Sequence, residues 1–368
     1  MIKLSGKYNT AVIYTDNVEQ SAATQIQHLL EQKFMSGSKI RIMPDVHAGM
    51  GSTIGMTMTI TDKVVPNFVG VDIGCGMETA ILKDKHVELS QLDKAIHQYI
   101  PSGFNIRKEP HHFVDEINLD DLKCARHVDL KRARLSIGTL GGGNHFIELG
   151  KDESDKLYLV VHSGSRNLGK QVCEYYQNLA ADKLGRKGKK ADRVLAYLED
   201  ERMQDYLHDM SIVQSYADLN RKAIIKELEK RVKFKIEEQF STIHNYIDLN
   251  SMILRKGAIS AKKDERMLIP INMRDGSLIC IGKGNANWNY SAPHGAGRIM
   301  SRTVAKESIT LTQFEKSMIG IYSSTINKST LDEAPAAYKP INEILDHIEE
   351  TAEVVTSIKP LYNFKAAE

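Results

Sequence analysis

The chain has 368 residues, 42% of them hydrophobic and 26% charged, a composition that excludes a disordered chain and allows a sizeable buried core. Its 49 basic and 47 acidic residues leave a formal net charge of +2, which neither requires nor excludes nucleic acid, because a groove can be basic while the whole is neutral. No apolar run is long enough to span a bilayer, and the opening MIKLSGKYNT lacks the apolar stretch of a secretion signal.

Cys75, Cys124, Cys173 and Cys280 are scattered without a disulfide framework, which predicts a reducing compartment. The expectation is therefore a cytoplasmic protein without a membrane partner.

In chain order, residues 20–34 carry a helical period, and SKIRIMPDVHAGMG and STIGMTMTI read as β-segments broken by glycine. NFVGVDIGCGMETAIL reads as a strand interrupted at Gly74 and Gly76, followed by a helix over about 90–99. RARLSIGTLGGGNHFIELG and KLYLVVHSGS predict two strands joined by the turn KDESD, and QVCEYYQNLAADKLG a helix. Residues 186–245 are charged and helical in period, with a basic cluster at 186–190, and predict a mainly helical insert.

Strand patterns return in SMILRKGAIS and ERMLIPINMRDGSLICIGKG. SAPHGAGRIMSRTVAKES reads as a glycine loop entering a helix, and INEILDHIEETAEVV as a helix before a last short strand. Candidate site residues fall on both sides of the insert, so the reading is one α+β domain, residues 1–368, of mixed sheets around a central site, covered by helices.

The chemistry is suggested by where the polar residues stand. In VGVDIGCGM, Asp72 and Cys75 lie three apart in an apolar segment. A carboxylate and a thiolate there are costly to bury unless a cation compensates them; a small cysteine packed in the core is the alternative. His145 follows Asn144 and three glycines, His162 ends an apolar strand, and His244 precedes Asn245. Imidazole is the commonest metal ligand, although each histidine alone is as well read as a hydrogen-bonded structural group.

Five donors of Asp, Cys and His type suggest one or two metals, and a bridging thiolate would let them serve a binuclear site. By affinity such donors favour zinc or copper over manganese, so ligand type does not name the metal. Asp45, in DVHAGMG, suits a carboxylate that orients a ligand, an acid–base group, or a turn former. His294 stands in SAPHGAGR with Arg298 four residues on, where glycine amides at a helix start would suit a phosphate and the histidine could attack phosphorus.

Taken together, PDVHAGMGSTIG, VGVDIGCGM, LGGGNHFIE, HSGSR, HN, RKGA and SAPHGAGR, in this order, closely resemble the RtcB family of RNA-splicing ligases. DEAPAAYK resembles the family too. The resemblance implies a GTP- and manganese-dependent ligase that joins RNA ending in a 2′,3′-cyclic phosphate or 3′-phosphate to RNA with a 5′-hydroxyl, in tRNA splicing or RNA repair. It implies that Cys75 bridges two Mn²⁺ ions, with Asp72 and His145 completing one site and His162 and His244 the other. His294 would carry GMP covalently. Asn144 and Arg298 would meet the nucleotide phosphates, and Glu148, Tyr338 and Lys365 the guanosine.

RNA and GTP are the implied partners, and an activating protein is a candidate one. Arg166, Arg255 and Arg302 are candidates for the RNA backbone, and Lys256 for offsetting phosphate charge. The chain departs from the family after Ile269-Pro270, where Ile271-Asn272-Met273-Arg274-Asp275-Gly276 replaces a glycine-serine-methionine-glycine turn. It reads as a compact, divergent member. A metal-dependent phosphoesterase that opens cyclic phosphates without joining ends is the competing expectation.

Overall fold

Short β-branched runs separated by glycine turns build two large sheets, and the computed structural model describes residues 1–183 and 193–366 of them and their surroundings. The first sheet runs Ile2–Ser5, Thr10–Ile13, Ile40–His47, Ile54–Thr59, Ile253–Lys256, Asn245–Asp248. Its one parallel pairing joins Thr10–Ile13 to Ile40–His47, and the crossover is the helix Gln20–Leu30. That helix turns Ala22, Ile26, Leu29 and Leu30 inward at helical spacing, onto a core that includes Ile13, Ile40 and Ile42.

The second sheet is antiparallel throughout, in the order Ile236–Ile243, Gly76–Leu82, Leu157–Ser163, Phe146–Lys151, Ala352–Lys365, Gly276–Gly282, Arg266–Asn272. Every residue of Leu157–Ser163 is buried, which explains its unbroken apolar run. The result is a single mixed α+β domain whose sheets and helices enclose a cluster of Cys, His and Asp side chains. Among the described residues no helix is long and apolar enough to cross a membrane.

The 33-residue helix Asp200–Val232 does more than cover the sheets. Arg221, fully buried, donates to the carbonyls of Gly74 (2.7 Å) and Ser163 (3.0 Å). Asn220 accepts from the amides of Gly138 and Thr139 and donates to Ser163 Oγ and the Gly164 carbonyl. One turn of helix thus clamps three loops that lead to Cys75, His145 and His162.

Several elements differ from the sequence reading. Pro66–Val69 is a helical turn, with Pro66 at its first position, and the strand begins only at Gly76. Gly70 and Gly74 at φ +93° and +72° bend the intervening chain, so Asp72 and Cys75 stand on a loop, not in a strand. RARLS belongs to a helix, Leu130–Ser136, capped by Asp129. The long helix stops at Val232, where Lys233 turns left-handed, and Ile236–Ile243 is an edge strand; its exposed charges had suggested a helix. The basic cluster at 186–190 lies outside the described residues. The last strand is not short: Ala352–Lys365 spans 14 residues within the second sheet, and its helix ends at Ile348.

Candidate metal centre and the histidine beside it

Cys75 sits where the loop meets the sheet, and three histidines converge on its sulfur. His162 Nε2 is 3.3 Å and His145 Nε2 3.5 Å from Sγ, while His162 Nε2 and His244 Nε2 are 3.4 Å apart. Asp72 Oδ2 lies 3.0 Å from His145 Nε2. The donors form two groups that share Cys75: Asp72, Cys75 and His145, and Cys75, His162 and His244. Asp72 is held by the Ser165 amide (2.9 Å). Gly164 makes that approach feasible, because a Cβ there would stand 2.1 Å from Asp72 Oδ1.

These donors fit divalent cations. His145 and His162 face backbone carbonyls through Nδ1 (Leu140 O at 2.8 Å, Asn144 O at 3.2 Å), which places the proton on Nδ1 and leaves Nε2 bare. The bare Nε2 of His145 then faces the Asp72 carboxylate, a repulsive arrangement unless positive charge lies between them, and that of His162 is left as a ligand atom 3.3 Å from the Cys75 sulfur. Burial, and then the charges of neighbouring histidines, push His162 and His244 well below the ordinary imidazole range, so both stay neutral and fit to ligate. Burial opposes ionisation of Asp72, but positive charge at His145 Nε2, which a cation there would equally supply, and the charge of Arg166 hold its carboxyl below the usual range. Burial first and the Asp72 charge second push the Cys75 thiol up, so a nearby cation is what would favour the thiolate.

His294 lies alongside, its ring 4.9 Å from that of His244. Its Nδ1 donates to Asp45 Oδ2 at 2.6 Å, and its backbone amide to the same oxygen at 3.0 Å. Asp45 is fully buried, and its other oxygen has no partner. The glycine at 297, φ +76°, packs where a Cβ would be 2.6 Å from the Asp45 carbonyl oxygen. Of the alternatives open to Asp45 in the sequence, the geometry shows a carboxylate that orients His294 and leaves its Nε2 free. The sequence reading placed His294 at a helix start; here it follows the strand Ser291–Pro293, and the helix begins only at Arg302. The HGAGR amides therefore do not form a helix N-terminus.

Both features open into one cleft of about 580 Å³, lined by Asp72, Cys75, His162, His244 and His294, and also by Asn144, Glu148, Arg298, Tyr338 and Lys365. Glu148 is buried and accepts from Asn363 Nδ2 at 2.8 Å, while its Oε1 and Asn363 Oδ1 have no partner. Burial pushes its carboxyl up to about 7. Two unsatisfied acceptors on a cleft wall are a cradle for a ligand edge with two donors, and guanine presents N1–H and an amino group.

Glu333, which the sequence reading passed over, ties together Arg298, Arg302, Tyr338 and Lys365 of the cleft wall. It accepts from Tyr338 Oη (2.7 Å), Arg302 Nη1 (2.7 Å) and Lys365 Nζ (2.9 Å), with Arg298 Nη1 at 3.4 Å. Burial opposes its ionisation, but Lys365 and Arg302 hold it below the usual range. The signal was present: two acids in the small, apolar run LDEAPAAY must find cations if buried, and Arg298 and Arg302 precede them. The Arg298 guanidinium lies 5.0 Å over the Tyr338 ring and occupies one face of it.

Other candidates fall elsewhere. Arg255 is fully buried, bonded to Ser291, Tyr246 and the carbonyls of Asn289 and Tyr290, and cannot reach an RNA backbone. Lys256 is buried on the carbonyls of Met50 and Asn67, its amine pushed down to about 8 by burial. Arg302 lines the cleft but is paired with Asp332 and Glu333. Arg166 is half-buried, with Nη2 on the Gly103 carbonyl. In the divergent turn, Arg274 is exposed and paired with Asp275, while Ile271, Asn272 and Met273 line the cleft.

Fold and cleft together define a protein with a buried thiol–imidazole–carboxylate centre, able to hold cations, that faces a carboxylate-oriented histidine. Residues 25–125 and 114–366 match the family model described as tRNA-splicing ligase RtcB, and the chain belongs to that family. It is 30% identical over 383 residues to the RNA-splicing ligase RtcB of Escherichia coli strain K12, covering 93% of each chain. Against RtcB1 of another Escherichia coli strain it is 31% identical with the same coverage. The tRNA-splicing ligase RtcB of Aeropyrum pernix is 27% identical over 416 residues, 87% of this chain and 86% of the relative.

Proposed function

We propose that this chain is a GTP- and Mn²⁺-dependent RNA ligase that seals 2′,3′-cyclic phosphate or 3′-phosphate ends to 5′-hydroxyl ends. The observation that carries the proposal is the pair of donor groups sharing Cys75 beside a histidine whose Nδ1 is fixed by Asp45. Asp72, Cys75 and His145 would hold one cation, and Cys75, His162 and His244 the other. Cations bound there would supply neutralisation of phosphate oxygens and alignment for in-line attack.

The chain's own groups do the rest. Asp45 keeps the His294 proton on Nδ1, so Nε2 attacks the α-phosphorus of GTP; the N–P bond forms and pyrophosphate leaves. GMP then passes from His294 to an oxygen of the RNA 3′-phosphate, which restores the imidazole. The 5′-hydroxyl oxygen attacks that 3′-phosphorus, GMP departs, and the hydroxyl proton goes to solvent. A cyclic phosphate is first opened by water. Asn144 and Arg298 are suited to the nucleotide phosphates, and Glu148 with Asn363 to the guanine edge. Tyr338 and Lys365 complete the nucleotide wall. Four free, buried cysteines fit a reducing, cytoplasmic setting.

The test is intact-mass spectrometry after incubation with GTP and Mn²⁺. Wild type should gain one GMP, and His294→Ala none. Absence of the adduct across several divalent metals overturns the ligase. RNA with a cyclic phosphate end and a 5′-hydroxyl partner then separates joining from the competing activity, cyclic-phosphate hydrolysis alone.

A further inference from the structure

Phe104 is 86% exposed, the most exposed large apolar side chain among the described residues. It is not on a loose loop. The Gly103 amide donates to the Gly141 carbonyl (2.7 Å), the Leu140 amide to the Pro101 carbonyl (2.8 Å), and the Asn105 amide to the Ser102 carbonyl (3.2 Å). Two guanidinium groups clamp the turn from the other side. Arg166 Nη2 donates to the Gly103 carbonyl at 3.1 Å, and Arg132 Nη2 to the Phe104 carbonyl at 2.8 Å. Arg166 lies so close over Gly141 that a Cβ there would stand 1.6 Å from its Nη1.

The loop Phe104 is tied to, Gly141–Gly143, leads directly into Asn144 and His145. The phenyl ring is therefore presented to solvent from a turn whose carbonyls are held by two guanidinium groups, and the loop paired with that turn runs into Asn144 at the cleft. No other exposed large apolar side chain is found among the described residues between 51 and 248. A protein docking surface would want a contiguous apolar patch. A lone exposed aromatic on a tied turn, with guanidinium groups on the carbonyls of that turn, has the chemistry of a stacking platform for single-stranded nucleic acid, where the ring takes a base and the nearby cations attract the backbone.

We propose that Phe104 is a base-stacking subsite for the single-stranded RNA segment that leads to the end being joined. The proposal rests on RNA being the substrate. Because the backbone of the turn is held before RNA arrives, binding has only the side-chain rotation of Phe104 to order. Any base can stack on it, so the subsite contributes affinity and register without sequence preference.

The test is fluorescence anisotropy of the full-length protein with a labelled single-stranded RNA bearing a 3′-phosphate. Phe104→Ala and Phe104→Leu are expected to weaken binding about tenfold, and Phe104→Tyr to retain it. The slope of log affinity against log salt should be the same in all, since no phosphate contact is lost. The surface substitution leaves the GTP adduct on His294 as a control of the intact cleft. Wild type that binds RNA with Phe104→Ala equal to it overturns the stacking subsite alone. Wild type that binds no RNA overturns the substrate reading and the subsite with it. Equal losses in Phe104→Tyr and Phe104→Ala also overturn stacking, because tyrosine keeps the ring face.

Discussion

His294 Nδ1 lies 2.6 Å from Asp45 Oδ2, and the same oxygen receives the His294 backbone amide. A carboxylate in that position dictates which ring nitrogen carries the proton. Asp45→Asn keeps the shape but offers an amide that can face the ring either way. The expected result is a fall of about 10²-fold or more in the single-turnover rate of GMP transfer to His294, with little change in GTP affinity. An unaltered rate would remove Asp45 from the chemistry.

Cys75 belongs to both donor groups, whereas His162 belongs to one. Cys75→Ala should therefore lose both cations, and His162→Ala only one. Bound manganese or cobalt, measured by elemental analysis after desalting, distinguishes the two variants. Equal loss in both would argue against a shared thiolate.

Arg221 is buried within the long helix and holds the carbonyls of Gly74 and Ser163. Arg221→Ala leaves both without a partner in a dry site. It is expected to lower stability by about 3 kcal/mol, seen as a lower denaturant midpoint at unchanged slope. Because Gly74 precedes Cys75, metal affinity should fall as well.

Glu148 carries a carboxyl pushed up to about 7 by burial, against an ordinary value near 4.5. The folded state thus holds a proton that the unfolded state has released, and stability falls as pH rises through that window. The span corresponds to about 3 kcal/mol at most. Glu148→Gln should flatten the decline in melting temperature between pH 5 and pH 7, roughly the window those values set. A ligand that donates one hydrogen bond to Glu148 and one to Asn363 should lower the carboxyl's pKa, so GTP should flatten it too.

Glu333 joins Tyr338, Arg302 and Lys365 through one carboxylate. Glu333→Gln removes the charge that holds these groups in place, and the cations are left to repel one another. GTP affinity is expected to fall about tenfold or more, with Glu333→Asp recovering part of it. Isothermal titration gives the affinities, and a circular dichroism melt checks that the fold persists.

Most of the strand-rich scaffold was legible because alternation and glycine punctuation are local signals. So were the side chains that converge: Asp72, Cys75, His145, His162 and His244 stand in glycine turns or at strand ends, where polar residues in apolar surroundings demand an explanation. Resemblance added the family. The charged stretch 236–243 misled because an edge strand exposes its charges much as a surface helix does.

What the sequence by itself determined was residue type and local period: which side chains can ligate, and which segments bury a face. Only the tertiary structure decided which of them meet. Bond formation between Asp45 and His294, 249 positions apart, or between Arg221 and Gly74, depends on how two sheets and a long helix pack, and no local period encodes that. The same packing removed Arg255 from the surface and left Phe104 on it. Both residues carry side chains that could face either way, and burial is a property of the assembled core, not of the segment.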